Sequence, residues 1–162
     1  MKLFLTLLML CSLSANAQLF EKDKAVGLRI GGGNGFGTEI SCQLQLFENR
    51  RFEVDLGWRS DSDFDGFKLT SIYQWVWYIE NNFSWYAGFG GGVGRYDFEV
   101  RNGNNTFEDD EIFVTIAGQV GIEYNFDDLP LRLSIDTRPE LGFGDFRDDL
   151  DFDIALGVRY KF

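Results

Sequence analysis

Few side chains in this chain are suited to enzyme chemistry. Its 162 residues include no histidine, which excludes Ser-His-Asp and Cys-His catalytic arrangements and zinc sites built on imidazole. Paired carboxylates remain, and Glu53 and Asp55 are the clearest pair, two residues apart in an alternating segment. Such a pair can do acid–base catalysis. Ion pairing with nearby basic side chains is the alternative, and the sequence favours it.

A second candidate site is the acidic segment at residues 61–66, with the sequence DSDFDG. It matches the first half of a D-x-D-x-D-G calcium loop, in which alternate carboxylates converge on one hard cation. The closing glutamate of such a loop is replaced by Ile72. The sequence therefore names Asp61, Asp63 and Asp65 as a possible calcium site and the only cofactor site, with an acidic hairpin tip as the alternative.

Glycine-rich stretches at residues 31–33 and 88–94 bear on phosphate binding. Neither contains the G-x-G-x-x-G spacing or a following Walker lysine, which excludes a phosphate-binding loop. In a barrel, inward glycines instead make room for long side chains that cross the lumen.

The elements that must position these residues begin after a processing segment. Lys2, the apolar run Leu3–Leu10 and the small residues Ala15 and Ala17 predict a secretory signal peptide over residues 1–17. The run is too short for a transmembrane helix, which needs about 20 residues. The remaining residues, 18–162, are expected to form one domain. Cleavage leaves a single cysteine, Cys42, so no internal disulfide is expected.

Period-two alternation of apolar and polar residues dominates the domain. It recurs eight times, over residues 26–31, 39–46, 52–59, 67–77, 85–94, 112–124, 131–136 and 152–162. Short polar turns at 48–51, 79–82 and 125–130 alternate with longer acidic links at 60–66, 97–110 and 144–150. This pattern predicts an all-β, eight-stranded antiparallel up-and-down transmembrane β-barrel with both termini on the short-turn, periplasmic side. Pro139 is expected at a bulge or at the frayed upper end of strand seven.

The charges on the polar face indicate which face lies inside. Seven basic and seven acidic residues share it: Arg29, Arg59, Lys68, Arg132, Arg138, Arg159 and Lys161, and Glu39, Glu53, Asp55, Glu123, Asp136, Glu140 and Asp153. Such balance is expected where charges face each other across a narrow lumen, because an unpaired buried ion costs several kcal/mol. The predicted ion-pair network comprises Arg29, Glu53, Asp55, Arg59, Glu123, Arg132, Asp136 and Arg159. A soluble barrel of the lipocalin kind is the alternative.

The acid excess and the aromatic residues have their own predicted places. The three long links, together with Glu111 and Asp151 directly after them, carry thirteen acids and only two basic residues, Arg101 and Arg147. The resulting net charge of −11 disfavours nucleic acid and suits cations or basic partners. Solvated loops without a ligand are the alternative. Aromatic residues are expected in two outward girdles, a lower one of Phe47, Phe52, Trp77, Trp85, Phe126, Tyr160 and Phe162 and an upper one of Trp58, Phe67, Tyr96, Phe143 and Phe152.

The last strand carries a family resemblance. Ile154, Leu156, Val158, Tyr160 and Phe162 alternate up to a terminal aromatic residue, which resembles the terminal-strand signal that the outer-membrane assembly machinery recognises. Together with the signal peptide and the strand count, the mature chain resembles the small barrels of the OmpA transmembrane-domain and OmpX/Ail type. That resemblance implies a structural, adhesive or surface-protective role in the bacterial outer membrane, and it carries over no catalytic residue.

The functional prediction is therefore a non-enzymatic outer-membrane barrel with a plugged lumen, since eight strands enclose an interior that side chains just fill. Its expected partners are outer-membrane lipid, the assembly machinery and an envelope protein. An accessory subunit of a secretion or uptake complex is the alternative. A lipid-modifying enzyme is disfavoured because the enzymes of this architecture depend on histidine.

Overall fold

Eight β-strands make up the described part of the chain. The computed structural model describes residues 24–31, 36–60, 64–102, 105–143 and 150–162, so the expected signal peptide lies outside the described residues. The strands are β1 (Lys24–Gly31), β2 (Thr38–Phe47), β3 (Arg50–Ser60), β4 (Phe64–Glu80), β5 (Phe83–Asn102), β6 (Asn105–Asn125), β7 (Leu131–Phe143) and β8 (Leu150–Lys161). No helix in these ranges is long and apolar enough to cross a membrane.

The strands close into one antiparallel barrel. Each strand pairs with its neighbours in sequence, and β1 pairs with β8. Lys24 and Phe162 extend this closing ladder, with backbone N–O distances of 3.2 and 2.9 Å. The predicted eight-stranded up-and-down topology is confirmed. All of the barrel's strands therefore have two neighbours, as a structure without sheet edges requires.

The tight connections lie at the end of the barrel that also holds Lys24 and Phe162. Residues 48–49, 81–82 and 126–130 link β2 to β3, β4 to β5 and β6 to β7. At the second of these turns, Asn81 and Asn82 have φ angles of 49° and 69°. Two consecutive left-handed residues make a turn whose twist matches that of the flanking strands, and asparagine tolerates this conformation well. We call this the terminal end of the barrel.

At the opposite end of the barrel, the prediction of an acidic loop over residues 97–110 is wrong. β5 and β6 continue as a ladder to the pair Asn102–Asn105. Among the described residues, β4 pairs with β5 as far as Phe98 and β7 pairs with β6 as far as Val114, so in that part of the chain this hairpin extends beyond its neighbours. Residues 96–101, YDFEVR, still alternate with a period of two, and that period decided the local structure despite the acidic composition.

Pro139 lies within β7 and not at a frayed end. On one side it is the register partner of Phe152 in β8. On the other, the β6–β7 ladder passes from Ala117–Glu140 to Val120–Thr137 without a change of register. The proline therefore interrupts pairing on one side without adding a residue to the strand, which differs from the predicted bulge.

The solvent exposure of the strands is inverted relative to a soluble protein. In β8, Leu156 and Val158 are 58% and 45% exposed, whereas Arg159 is 0% exposed. The same alternation runs along the other strands, with apolar side chains outward and charged side chains inward. The barrel interior is thus the polar face, and the candidate functional residues lie there.

Candidate functional site

The interior of the barrel holds a dense set of buried charges. Within the described ranges, six basic residues, Arg29, Arg51, Lys68, Arg132, Arg138 and Arg159, and six acidic residues, Glu39, Glu53, Asp55, Glu123, Asp136 and Glu140, are each at most 7% exposed. Each sits on the inward parity of its strand. Burial of this kind is tolerated only when charges are paired and hydrogen-bonded.

Glu53 is the hub of this network. Its carboxylate accepts hydrogen bonds from Gln43 Nε2 at 2.5 Å and Gln119 Nε2 at 3.0 Å. It also accepts from Arg138 Nη2 at 3.3 Å and Arg159 Nη2 at 3.1 Å. Side chains from β2, β6, β7 and β8 therefore converge on one residue of β3. Glu53 holds together strands that lie on different sides of the barrel.

Above Glu53, two arginines bind four further carboxylates and share one of them. Arg138 pairs with Asp55 and, at 3.1 Å, with Glu39 Oε2. Arg29 binds the same Glu39 oxygen at 3.0 Å and Asp136 and Asp153 at 2.6 Å each. Glu39 bridges the two guanidinium groups, and Glu53 joins Arg138 to Arg159, so the upper half is one connected network.

Below Glu53, a second branch is built on Arg51. Its Nη1 lies 2.6 Å from Glu123 Oε2, and its Nε donates to Gln74. The guanidinium lies over the ring of Tyr86, 4.6 Å from the centroid, a cation–π arrangement. Tyr86 Oη in turn donates to Asp136 Oδ2 at 3.2 Å, which links the two branches.

An aromatic cluster lies at the inner mouth of the projecting end. Phe36, Tyr96 and Phe113 contact one another, with ring centroids 4.8–6.3 Å apart. Lys68 Nζ lies 5.3 Å from the Phe36 centroid and 2.9 Å from both carboxylate oxygens of Glu140. Tyr96 was predicted in the outer girdle, and that position is wrong, because its ring packs on two residues that are 5% and 1% exposed.

The two ends of the interior differ in free space. A cavity of about 320 Å³ opens at the terminal end, lined by residues that include Arg51, Glu123, Arg132 and Lys161. Near the aromatic cluster, the space between Glu39, Lys68, Arg138 and Glu140 is only about 10 Å³, which is about the size of one water-sized probe.

No family model and no curated protein sequence matches the chain. The N-terminal β-barrel domain of Pseudomonas aeruginosa OprF has a TM-score of 0.61 at 12% identity, covering 86% of this chain and 97% of that one. Neisserial surface protein A has a TM-score of 0.60 at 14% identity, covering 87% and 96%. The attachment invasion locus protein Ail of Yersinia pestis gives 0.52 at 17% identity, covering 87% and 97%.

The chain has the fold of the small outer-membrane β-barrels. The resemblance predicted from the terminal strand is therefore confirmed at the level of the fold. At these identities the likeness extends to architecture alone.

The small-barrel interior brings together most of the network predicted from the sequence. Arg29, Glu53, Asp55, Glu123, Arg132, Asp136 and Arg159 are all buried inside. Arg59 differs, because it lies on the inward parity but near the end of β3, where its side chain is exposed. Arg51 was missed, since it was assigned to a turn. Its parity with Glu53 and Asp55 is the signal that could have placed it in the lumen.

Glu53 and Asp55 each form an ion pair with Arg138. Both carboxylates are 0% exposed, and both contact the Arg138 guanidinium. Glu53 already accepts hydrogen bonds from four donors inside the barrel, which favours ion pairing over acid–base catalysis for this residue, since a general base must reach a substrate proton.

Of the predicted calcium residues, Asp61 and Asp63 lie outside the described residues. Asp65 falls within β4, where its backbone pairs with Ser60 and Asp97. The calcium site stays a prediction.

Inward glycines make space for the side chains that cross this small barrel, as expected. A Cβ built on Gly121 would lie 2.5 Å from Tyr86 Cζ. We predict that Gly121→Ala lowers the free energy of unfolding by about 1–3 kcal/mol, because the methyl group overpacks the ring. Equilibrium urea unfolding in detergent micelles, followed by tryptophan fluorescence, measures the change.

Gly118→Ala on the outward face is the matched control. A Cβ there would meet Pro139 Cγ at an ordinary 3.5 Å, so stability should be nearly unchanged. Tyr86→Leu should remove most of the Gly121→Ala penalty. A penalty that is equal in both backgrounds would contradict the packing explanation.

Proposed function

We propose that this chain is a non-enzymatic outer-membrane β-barrel with a structural or adhesive role in the cell envelope. One observation carries the proposal, the inverted exposure of the strands. Ile116, Ile135 and Leu156 are 59%, 48% and 58% exposed, while Arg138 and Arg159 are 0% exposed. In water each such apolar side chain forfeits about 1.5–3 kcal/mol of burial free energy. Hydrocarbon around the barrel removes that cost.

A plugged lumen is part of the proposal. The side chains of Glu53, Arg138 and Arg159 meet in the middle of the barrel at 3.1–3.3 Å, and the fully buried guanidiniums span its cross-section. Eight strands enclose an interior that side chains just fill. These contacts support a barrel that stabilises or displays, and they do not favour a general solute pore.

The display element is the projecting β5–β6 hairpin. It continues beyond its last described pairs with the neighbouring strands, which are Phe98 with Phe64 of β4 and Val114 with Phe143 of β7. Residues 105–113 of β6 have a paired strand on the β5 side and no described partner on the other. The segment from 97 to 111 is rich in acids. We propose that this end faces outward and takes part in adhesion, with both termini in the periplasm.

We propose, too, that the last strand serves assembly and lipid contact. Ile154, Tyr160 and Phe162 are 63%, 54% and 67% exposed on the outward face of β8. An exposed terminal strand with this alternation is available to the barrel-assembly machinery before β1 and β8 pair, and to lipid afterwards.

Electrophoresis tests the proposal on the full chain. A closed barrel with complete ladders resists SDS at room temperature, so the unheated protein should migrate differently from the boiled protein and should fractionate with outer membranes. The alternative that this experiment tests is a soluble barrel of the lipocalin kind. Equal migration before and after boiling, together with recovery in the soluble periplasmic fraction, would show that the proposed location is wrong.

A further inference from the structure

Four inward positions form one row across four adjacent strands. Asp55 of β3 is the register partner of Thr70 in β4. Thr70 is the partner of Gly92 in β5, and Gly92 is the partner of Thr115 in β6. Asp55, Thr70 and Thr115 are 0%, 0% and 1% exposed. Because Gly92 has no side chain, the row contains a gap between the two threonines.

Two hydroxyls without a protein partner border this gap, and a carboxylate oxygen without a partner belongs to the next residue of the row. Thr70 Oγ1, Thr115 Oγ1 and Asp55 Oδ1 make no hydrogen bond to any described group. A Cβ built on Gly92 would lie 2.9 Å from Thr115 Oγ1 and 3.1 Å from Thr70 Oγ1. The two hydroxyls therefore lie on either side of the same glycine, and Asp55 is the neighbour of Thr70 in the row.

We propose that this row is a binding site for one ordered water molecule, held by Thr70 and Thr115 above Gly92 with Asp55 as a further acceptor. Buried polar atoms in folded proteins nearly always have a partner, since an unsatisfied one is costly. Water both donates and accepts, and a buried water typically makes about three hydrogen bonds. It donates to Asp55 Oδ1, and it exchanges one hydrogen bond with each threonine.

Water is favoured over a metal ion by the charges around the row. The other carboxylate oxygen of Asp55 already contacts Arg138, and Glu53 contacts both Arg138 and Arg159. A cation would be placed beside two guanidiniums. A neutral ligand adds no charge to an interior in which the described buried acids and bases are equal in number.

The bound water joins strands that do not pair directly. β4 and β6 lie on either side of β5, and β5 has glycine at the inward positions 88, 90, 92 and 94. This part of β5 places no side chain in the lumen. The water bridge replaces that missing contact and fixes β4 relative to β6.

Isosteric substitutions test the site by the sign of their effect. Thr70→Val and Thr115→Val keep the volume and remove one hydroxyl each. If a shared water is bound, each should raise the unfolding equilibrium constant about five- to tenfold, the cost of a lost hydrogen bond. The double variant should be scarcely worse than either single one, because both remove the same ligand. Urea unfolding in micelles measures all three.

Thr137→Val, on the outward face of β7, is the matched control and should act additively with Thr70→Val. Stabilisation by either inward variant, or strict additivity of the pair, would overturn the proposal. Two further measurements need no variant. Water-edited NMR of the folded barrel should show a cross-peak to the methyl groups of Thr70 and Thr115, and its absence would overturn the proposal. Replacing Na⁺ by N-methylglucamine should leave the unfolding midpoint unchanged, and a shift would show that an ion occupies the site instead.

Discussion

Glu53→Gln should destabilise the barrel by about 3–5 kcal/mol, the range for breaking a buried ion pair while leaving its partners charged. The substitution removes the charge that Arg138 and Arg159 share and turns an acceptor into an amide. The amide would then present its own N–H groups to Gln43 and Gln119, which donate to Glu53 in the native barrel. Reversible urea unfolding in lipid bilayers measures the loss.

Glu80→Gln is the matched control. Glu80 is exposed beside the turn at Asn81 and Asn82, where removal of one charge should change stability by less than about 0.5 kcal/mol. If Glu53→Gln cost no more than this control, the lumen network would not be a source of stability, and the interior charges would have to be hydrated in the native barrel.

Ile135→Arg should cost about 2–4 kcal/mol in a bilayer, the value for a basic residue on the lipid face near the midplane. Ile135 points outward and is 48% exposed, and its register partners Ile122 and Leu156 are outward and apolar as well. A charge at this position would have to enter hydrocarbon. In a soluble barrel the same change would place an arginine in water, with little cost.

Ile79→Arg supplies the comparison at the terminal end. Ile79 is 56% exposed and precedes the Asn81–Asn82 turn, so its arginine reaches the interface and the cost should fall to about 0–1 kcal/mol. Equal costs at the two depths would contradict a membrane around the barrel. Both variants are measured by unfolding from bilayers of the same composition.

The barrel was predictable because one pattern fixed several features together. The period of two gives each strand an apolar face and a polar face. Equal numbers of acidic and basic residues on the polar face indicated that this face lies inside. Arg159 illustrates the result, because it is buried between the exposed residues Val158 and Tyr160. Strand ends were less predictable. Arg51 and Tyr96 were misplaced for this reason, since composition near a turn or an acidic run competes with periodicity.

The partners within the lumen could not be predicted from parity. Parity gives the face of a side chain, but the height at which it meets another strand depends on register and stagger around the closed barrel. Arg29 meets Asp136 across 107 residues of sequence, and Arg138 meets Glu39 across 99. The aromatic contact of Phe36 with Phe113 has the same origin.

The long sequence separation of the lumen pairs has a consequence for biogenesis. The arginine partners of Glu53 in β3 are Arg138 and Arg159, which are synthesised 85 and 106 residues later. Asp153 of β8, a partner of Arg29 in β1, is synthesised 124 residues later. A partly formed sheet would therefore expose unmatched charges to lipid. Glu53 gains both of its arginine partners only when β7 and β8 have joined the barrel. For the proposed outer-membrane location, we therefore expect insertion and closure to be coupled, and we expect truncated chains to lack these interactions.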